Sequence, residues 1–199
     1  MARGYSRKPV DNPEAYQHKL DETTKYLTKD DRVLEFGCGT GTTALIHAPR
    51  VSQIDAIDFS SEMIAIAREK AEAQDIRNVR FEVSSIEDWP IPNPDGDYDV
   101  VLGMSILHLV SDLDETLAKV HLALKPGGLF FSSTVCIGKM NPVVRFGLSA
   151  LGGIGILPKI LPLTPDALEK HITAHGFEIE SVWQPEESAA VFIVARRSR

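Results

Sequence analysis

The stretch that decides the fold is Val33–Gly41, which reads VLEFGCGTG. A short apolar run, typical of a buried strand, ends here in glycines at every second position: Gly37, Gly39 and Gly41. Glycine is needed where the backbone turns with positive φ or comes close to a ligand. The helix-like run Thr42–Ala48 follows, and the amide groups at its start would point toward a bound molecule. The stretch therefore predicts a strand, a ligand-binding loop and a helix.

Two common types of glycine loop do not fit this spacing. A phosphate-binding loop needs Lys after its last glycine, and Thr42 stands there. The dinucleotide fingerprint G-x-G-x-x-G needs its third glycine at the same position. Glu35, two residues before Gly37, also suits a cation better than a pyrophosphate, because two anions repel each other.

Strand-like and helix-like segments alternate along the rest of the chain. The predicted strands are Arg32–Phe36, Val51–Ile57, Val79–Val83, Tyr98–Leu102, Leu129–Val135, Phe177–Trp183 and Ala190–Ala195. Beyond the glycine loop, the predicted helices are Pro13–Leu27, Ser61–Gln74, Leu113–Leu124 after Ser111 or Asp112 as the cap, and Pro165–His175, with a turn at Pro126–Gly128. This order predicts a mostly parallel sheet with helices on both faces and a ligand site at the carboxyl ends of the strands.

Asp58 is the second candidate for binding chemistry. It ends the second predicted strand, 21 residues after Gly37. A carboxylate in that place can accept both ribose hydroxyls of a nucleoside. The alternative role for Asp58 is helix capping, and Asp55, inside the strand, is the competing carboxylate.

Together these residues resemble the class I S-adenosylmethionine-dependent methyltransferases of the small-molecule type, over roughly residues 32–135. Four further segments resemble that family in the right order: Ser60–Arg68, Phe81–Asp88, Asp97–Leu102 and Leu124–Gly128. The resemblance implies an α/β, Rossmann-like doubly wound sheet of seven strands, mostly parallel with the last antiparallel. It also implies one domain over residues 1–199, in which 32–135 bind the cofactor and 136–199 cover the acceptor and supply the final helix and strands.

The cofactor that the resemblance implies is S-adenosylmethionine, with S-adenosylhomocysteine as product. Glu35 would lie near its amino group, Asp58 would hold the ribose, and Phe59 and Met63 would flank the adenine. The backbone of Gly37, Cys38 and Gly39 would line the methionine part, and Ser85 and Ile86 would meet the adenine edge. Met104 would contact the cofactor or the acceptor through its backbone. Ser85 departs from the Asp that is usual in the family, and an uncharged hydroxyl is a weaker acceptor.

Three further side chains are candidates around the reaction. Tyr16 and Lys19 lie on one face of the predicted first helix. Lys19 could pair with the cofactor carboxylate and Tyr16 could reach the acceptor, although a surface lysine and a packing tyrosine explain them equally well. His108, after the fourth strand, is the candidate catalytic base because imidazole titrates near neutrality. Its alternative role is packing at the wall of the site.

Composition limits the partners. The chain has 21 Lys and Arg against 28 Asp and Glu, a net charge of −7, which argues against nucleic-acid binding. Its two cysteines are too few for a disulfide framework, so we expect a reduced, cytoplasmic protein without a metal site.

The longest uncharged apolar stretch, Phe146–Pro158, has 13 residues, fewer than the ~20 that span a bilayer. It lies within 138–163, which would serve as a lid over the acceptor, a peripheral membrane contact, a dimer contact or core.

We therefore predict in-line transfer of a methyl group from S-adenosylmethionine to a small, lipophilic acceptor, in a monomer or a homodimer. The sulfonium methyl is already activated, so positioning of the acceptor would carry most of the catalysis. One alternative is an NAD-dependent oxidoreductase, which Thr42 and Glu35 disfavour. The other is a non-catalytic regulator that binds S-adenosylmethionine. The acceptor and the methylated atom stay open at this stage.

Overall fold

A computed structural model describes residues 12–93, 95–138, 160–185 and 190–198. Of the segment 138–163, considered above as lid, membrane contact, dimer contact or core, residues 139–159 lie outside these ranges. Within the described ranges, no helix is long and apolar enough to cross a membrane.

Seven strands form one sheet. They are β1 Arg32–Phe36, β2 Gln53–Asp58, β3 Val79–Val83, β4 Tyr98–Met104, β5 Leu124–Val135, β6 Phe177–Trp183 and β7 Ala190–Arg197. Their spatial order is β3-β2-β1-β4-β5-β7-β6. The first five strands pair in parallel, and β7 runs antiparallel to both of its neighbours. The predicted fold class, with its antiparallel last strand, is confirmed.

In the described ranges, five helices flank the sheet. They are α1 Pro13–Tyr26, α2 Thr42–His47, α3 Ser61–Ala73, α4 Leu113–Ala123 and α5 Pro165–Ala174, with short 3₁₀ turns at Ala48–Arg50 and Leu107–Leu109. Four of them begin at a side-chain cap that accepts a backbone N–H of the first turn: Asn12, Ser60, Asp112 and Thr164. Of the two candidate caps for α4, the structure uses Asp112. Such caps satisfy amide groups that a helix start would otherwise leave unpaired.

The core lies on both faces of the sheet because strand side chains alternate. On one face Leu34 of β1 packs in a cluster that includes residues of α4 and α5. On the other face Val33 packs in a cluster with residues of α2 and α3. The central strand is therefore covered on both sides, and its carboxyl end is the place where the glycine loop emerges.

The sequence predicts a turn at Pro126–Gly128 before a fifth strand that begins at Leu129, and this predicted start is wrong. Tyr98 pairs with Leu124, and Val100 pairs with Leu129, so β5 begins at Leu124 and bulges between these two pairs. Gly127 takes a φ of +80° in the bulge. The turn-forming residues are thus accommodated within the strand, because the ladder resumes on both sides of them.

His47 is a buried titratable group at the end of α2. It is fully buried on α2, and neither ring nitrogen has a hydrogen-bond partner among the described residues. Burial, with a smaller contribution from the charge of Arg50, lowers the pKa of His47 to about 4. The folded protein therefore holds this imidazole neutral at a pH where the unfolded chain protonates it.

We expect this imidazole to make the protein less stable in mild acid. The pKa of His47 is lower in the folded state than in the unfolded state. Its contribution to the free energy of unfolding is therefore complete above pH ~6.5 and declines as the pH falls toward 4. Between pH 6.5 and 5 the loss amounts to about 2 kcal/mol. Urea unfolding gives the free energy of unfolding of the wild type and of His47→Leu at both pH values. The loss is the change, from pH 6.5 to pH 5, in the difference between these two free energies. An unchanged difference contradicts the prediction.

Candidate functional site

The glycine loop leaves β1 at Gly37 and enters α2 at Thr42. Gly37, Gly39 and Gly41 have φ values of +64°, +54° and +72°, which side chains rarely adopt. A Cβ on Gly37 would lie 2.5 Å from Cγ1 of Ile106, whereas a Cβ on Gly39 would meet nothing within 4 Å. The loop thus packs closely against the segment that follows β4 at one point and leaves open space above Gly39. A ligand can approach the backbone there.

Asp58 connects this loop to the end of β2. Its Oδ2 accepts the N–H of Gly39 at 2.9 Å, and its Oδ1 accepts the N–H of Ser60 at 2.9 Å. Each carboxylate oxygen retains a lone pair for a further donor. Asp55, the competing carboxylate, is instead held by the hydroxyl of Tyr98 at 2.9 Å and by Arg80 Nε at 3.0 Å. Asp58 is therefore the strand-end carboxylate beside the loop.

Glu35 is a buried carboxyl at the base of the loop, with 2% of its surface exposed. Burial raises the pKa of Glu35 to about 8, against the backbone hydrogen bond from Ala44, and the charge of Asp58 raises it further. Its Oε2 has no hydrogen-bond partner among the described residues. A buried polar atom without a partner is costly, so this oxygen suits a cationic group bound in the site.

Helix α1 contributes two side chains that contact α2 and β5. The hydroxyl of Tyr16 lies 3.1 Å from Oγ1 of Thr43, and Lys19 Nζ donates to Oγ of Ser133 at 2.8 Å. Burial raises the pKa of Tyr16, against the bond to Thr43, and burial lowers the pKa of Lys19. These contacts place Tyr16 over α2 and Lys19 at the carboxyl end of β5. Sequence reasoning missed Thr43 and Ser133, whose only signal was their position at the start of α2 and near the end of β5.

The four residues expected around an adenine differ in their exposure and in their hydrogen bonds. Phe59 is 77% exposed at the end of β2, and Met63 is partly buried one turn into α3. The Ser85 hydroxyl donates to Oδ2 of Asp88 at 2.9 Å and accepts the amide of Asp88 at 3.1 Å. Ile86 is 4% exposed and packs in the core. Phe59 is thus free to stack on a ligand, Ser85 is engaged in a local turn, and the side chain of Ile86 faces away from solvent.

The segment after β4 forms another wall of the site. Met104 is partly buried at the end of β4, and Ser105, with a φ of +59°, donates its amide to the carbonyl of Ser133 at 2.7 Å. His108 is 8% exposed, and its Nδ1 has no hydrogen-bond partner among the described residues. Burial lowers the pKa of His108, which favours the neutral imidazole. The carbonyl of His108 accepts the amide of Leu161 at 2.8 Å, so the chain returns to this wall before α5.

Cys38 serves the loop through its backbone. Its amide donates to the carbonyl of Ile57 at 3.0 Å, and its carbonyl accepts the amide of Gly41 at 2.9 Å. Burial raises the pKa of the Cys38 thiol far above its usual value, so the thiol stays protonated and is a poor nucleophile. Across the described ranges, no group of three or more His, Cys, Asp or Glu residues is placed to hold a metal ion.

The fold and the candidate site together define an α/β protein with a glycine loop and two carboxylates at the carboxyl edge of a doubly wound sheet. A protein-family model described as a methyltransferase domain matches residues 33–128 of the sequence. The chain is 31% identical to the ubiquinone biosynthesis O-methyltransferase of Xanthomonas euvesicatoria over 188 residues, which cover 87% of this chain and 76% of that protein.

Two further similarities agree with this match. The chain is 34% identical to the malonyl-[acyl-carrier protein] O-methyltransferase of Bacillus cytotoxicus over 122 residues, 59% of this chain and 41% of that protein. The crystal structure of the YcgJ protein from Bacillus subtilis superposes with a TM-score of 0.76 at 19% identity, covering 92% of this chain and 99% of that one. The chain spans only about two fifths of the length of some curated relatives, 39% and 41% in two cases.

The chain belongs to the class I S-adenosylmethionine-dependent methyltransferases. The family implies S-adenosylmethionine as the cofactor. Three features of the site fit that molecule: the buried Glu35 oxygen without a partner suits its cationic ammonium group, Asp58 suits its ribose, and the open space at Gly39 admits its methionine part.

Proposed function

We propose that the chain transfers the methyl group of S-adenosylmethionine to a hydroxyl oxygen of a small, lipophilic acceptor. The observation that carries the proposal is Glu35, a buried carboxyl with an oxygen that lacks a partner, 2% exposed and set beside Asp58 and an open glycine loop. A cationic nucleoside with an ammonium at one end and a ribose at the other complements this arrangement. Ionised Glu35 would repel the pyrophosphate of a dinucleotide, whereas it attracts an ammonium group.

Each predicted cofactor residue has a role in this proposal. Glu35 holds the ammonium group, and Lys19 meets the carboxylate of the methionine part once it exchanges its bond to Ser133. Asp58 accepts the ribose hydroxyls. The backbone of four residues lines the methionine part: Gly37, Cys38, Gly39 and Met104. The adenine lies against Phe59 and Met63, near Ser85 and Ile86. The cofactor supplies an electrophilic methyl group, and the protein supplies orientation and exclusion of water.

The class of acceptor is supported by the relatives. The two curated proteins described above are named as O-methyltransferases, one in ubiquinone biosynthesis and one acting on malonyl-[acyl-carrier protein]. A hydroxyl acceptor must lose its proton as its oxygen gains the methyl group, which calls for a base or for water. His108, on the segment after β4, is the candidate base, and burial lowers its pKa, which favours the neutral imidazole that a base requires. Tyr16, over α2, is placed to orient the acceptor.

The first experiment is calorimetric titration of the purified protein with S-adenosylmethionine, S-adenosylhomocysteine and NAD in parallel. The proposal expects micromolar binding of both sulfur nucleosides, about −8 kcal/mol, and no binding of NAD. An acceptor screen follows, beginning with lipophilic phenols and catechols and with the matching anilines as controls. Binding of NAD without either sulfur nucleoside would overturn the proposal. Methyl transfer to the anilines, without transfer to the phenols or catechols, would overturn the proposal that oxygen is the methylated atom.

His108 gives the catalytic part of the proposal its own test. We expect His108→Ala to lower kcat about a hundredfold, near the lower end for a general base, because the methyl group is already activated and water can accept the proton. The affinity for S-adenosylhomocysteine should stay within about twofold. His121→Gln, on α4, is the matched histidine control. A kcat for His108→Ala equal to that of the control assigns His108 to packing.

A further inference from the structure

The glycine loop needs support from outside itself. Its glycines take positive φ values, and the freedom that allows this also makes the loop conformation entropically costly. Gly41 caps the six-residue helix α2 without a side chain, and the space above Gly39 is open. The residues between Gly39 and Thr42 therefore depend on neighbouring elements for their position.

Lys70, near the end of α3, reaches this part of the loop. Its Nζ donates to Oγ1 of Thr40 at 2.8 Å, to Oγ1 of Thr42 at 3.1 Å and to the carbonyl oxygen of Thr40 at 3.2 Å. An ammonium has three N–H groups, and these three acceptors come from the residues on either side of Gly41. A hydrogen bond from a charged donor is also stronger than a neutral one.

The loop is thus held from two directions at consecutive residues. Asp58 on β2 accepts the amide of Gly39, and Lys70 on α3 donates to the carbonyl of Thr40. In the proposed function Asp58 also binds the ribose, whereas no part of the cofactor is assigned to Lys70. The contacts of Lys70 act on the loop alone.

We propose that Lys70 is a positioning residue that keeps the glycine loop in its cofactor-binding conformation. The inference rests on the proposed function only in taking the ligand of the loop to be S-adenosylmethionine. If the competent conformation is populated by a fraction of molecules, the apparent Kd rises by the inverse of that fraction. Loss of Lys70 therefore weakens cofactor binding without removing any contact to the cofactor.

Lys70→Met is the direct test, because methionine keeps much of the aliphatic stem and removes the three donors. We expect the Kd for S-adenosylhomocysteine, measured by calorimetry, to rise about tenfold, and kcat at saturating S-adenosylmethionine to stay within about twofold. In the free protein, amide hydrogen exchange over residues 37–45 should become faster while exchange over β6 stays unchanged. Lys70→Arg should recover most of the affinity.

Lys119→Met, on α4 across the sheet, is the matched lysine control and should leave both the Kd and the loop exchange unchanged. Thr42→Val removes a single acceptor and serves as a second variant if Lys70→Met folds poorly; its expected rise in Kd is about threefold. A Kd within twofold of the wild type in Lys70→Met overturns the inference, with or without faster exchange. If the wild type binds neither sulfur nucleoside, the proposed function fails, and the exchange experiment still decides whether Lys70 holds the loop.

Discussion

Asp58→Ala should weaken the binding of S-adenosylhomocysteine about a thousandfold. The two ribose hydroxyls would lose charge-assisted hydrogen bonds, each worth about 1.5 to 3 kcal/mol. The amides of Gly39 and Ser60, which the carboxylate accepts at 2.9 Å, would lose their acceptor at the same time. A thousandfold change corresponds to about 4.2 kcal/mol, which lies within the range expected from two such bonds. Calorimetric titration measures the effect.

Two variants control for unfolding and for general charge. Asp58→Asn keeps an acceptor oxygen and should lose affinity to an intermediate extent. Asp21→Ala, on the exposed side of α1, removes a carboxylate away from the loop and should bind as the wild type does. An affinity of Asp58→Ala within threefold of the wild type, in a variant with an unchanged melting temperature, would refute the placement of the ribose.

The affinity for S-adenosylmethionine should rise with pH, about 240-fold between pH 5 and 7.5. Burial raises the pKa of Glu35 to about 8, so most molecules carry a neutral carboxyl below that pH. The ammonium group of the cofactor binds better to the carboxylate, and the fraction of ionised Glu35 grows tenfold per pH unit below the pKa. Binding should therefore release close to one proton at pH 6. Titration in buffers of different ionisation enthalpy measures that proton.

Glu35→Gln is the matched variant because glutamine has the shape of the neutral acid. Its affinity should be low and nearly independent of pH over the same range. The free variant should also be more stable than the wild type at pH 7.5. The reason is that a pKa raised in the folded state gives stability below the unfolded pKa that is lost as the pH rises toward 8. Equal pH profiles for the wild type and the variant would show that Glu35 does not meet the cofactor cation.

Much of the secondary structure follows from local sequence. The bounds of β1, β3 and β6 agree with the prediction because each is a short run between clear breaks. The caps at Ser60 and Thr164 agree as well, since a cap depends only on residues within one turn. The start of β5 was wrong because the pairing of Leu124 with Tyr98 is a long-range contact, and local turn residues do not reveal it.

The candidate site was predictable to a similar extent. Glu35, Asp58 and the glycines were found because their spacing follows a strand, a loop and a helix. Their protonation and partners were not, since these depend on burial and on segments distant in sequence. The hydrogen bond of Ser85 to Asp88 and the burial of Ile86 are examples of contacts that local sequence does not reveal.

The sequence by itself determined the alternation of strands and helices, the loop that only glycines permit, and the two carboxylates beside it. All of these depend on residues close together in the chain. Only the tertiary structure decided that Lys70 reaches that loop, that Tyr16 meets α2 and that Lys19 meets β5, because these hydrogen bonds join residues 27 to 114 positions apart in the chain. Side-chain hydrogen bonds of this range form where packing of the sheet and helices brings their donors and acceptors together, and no local pattern records them.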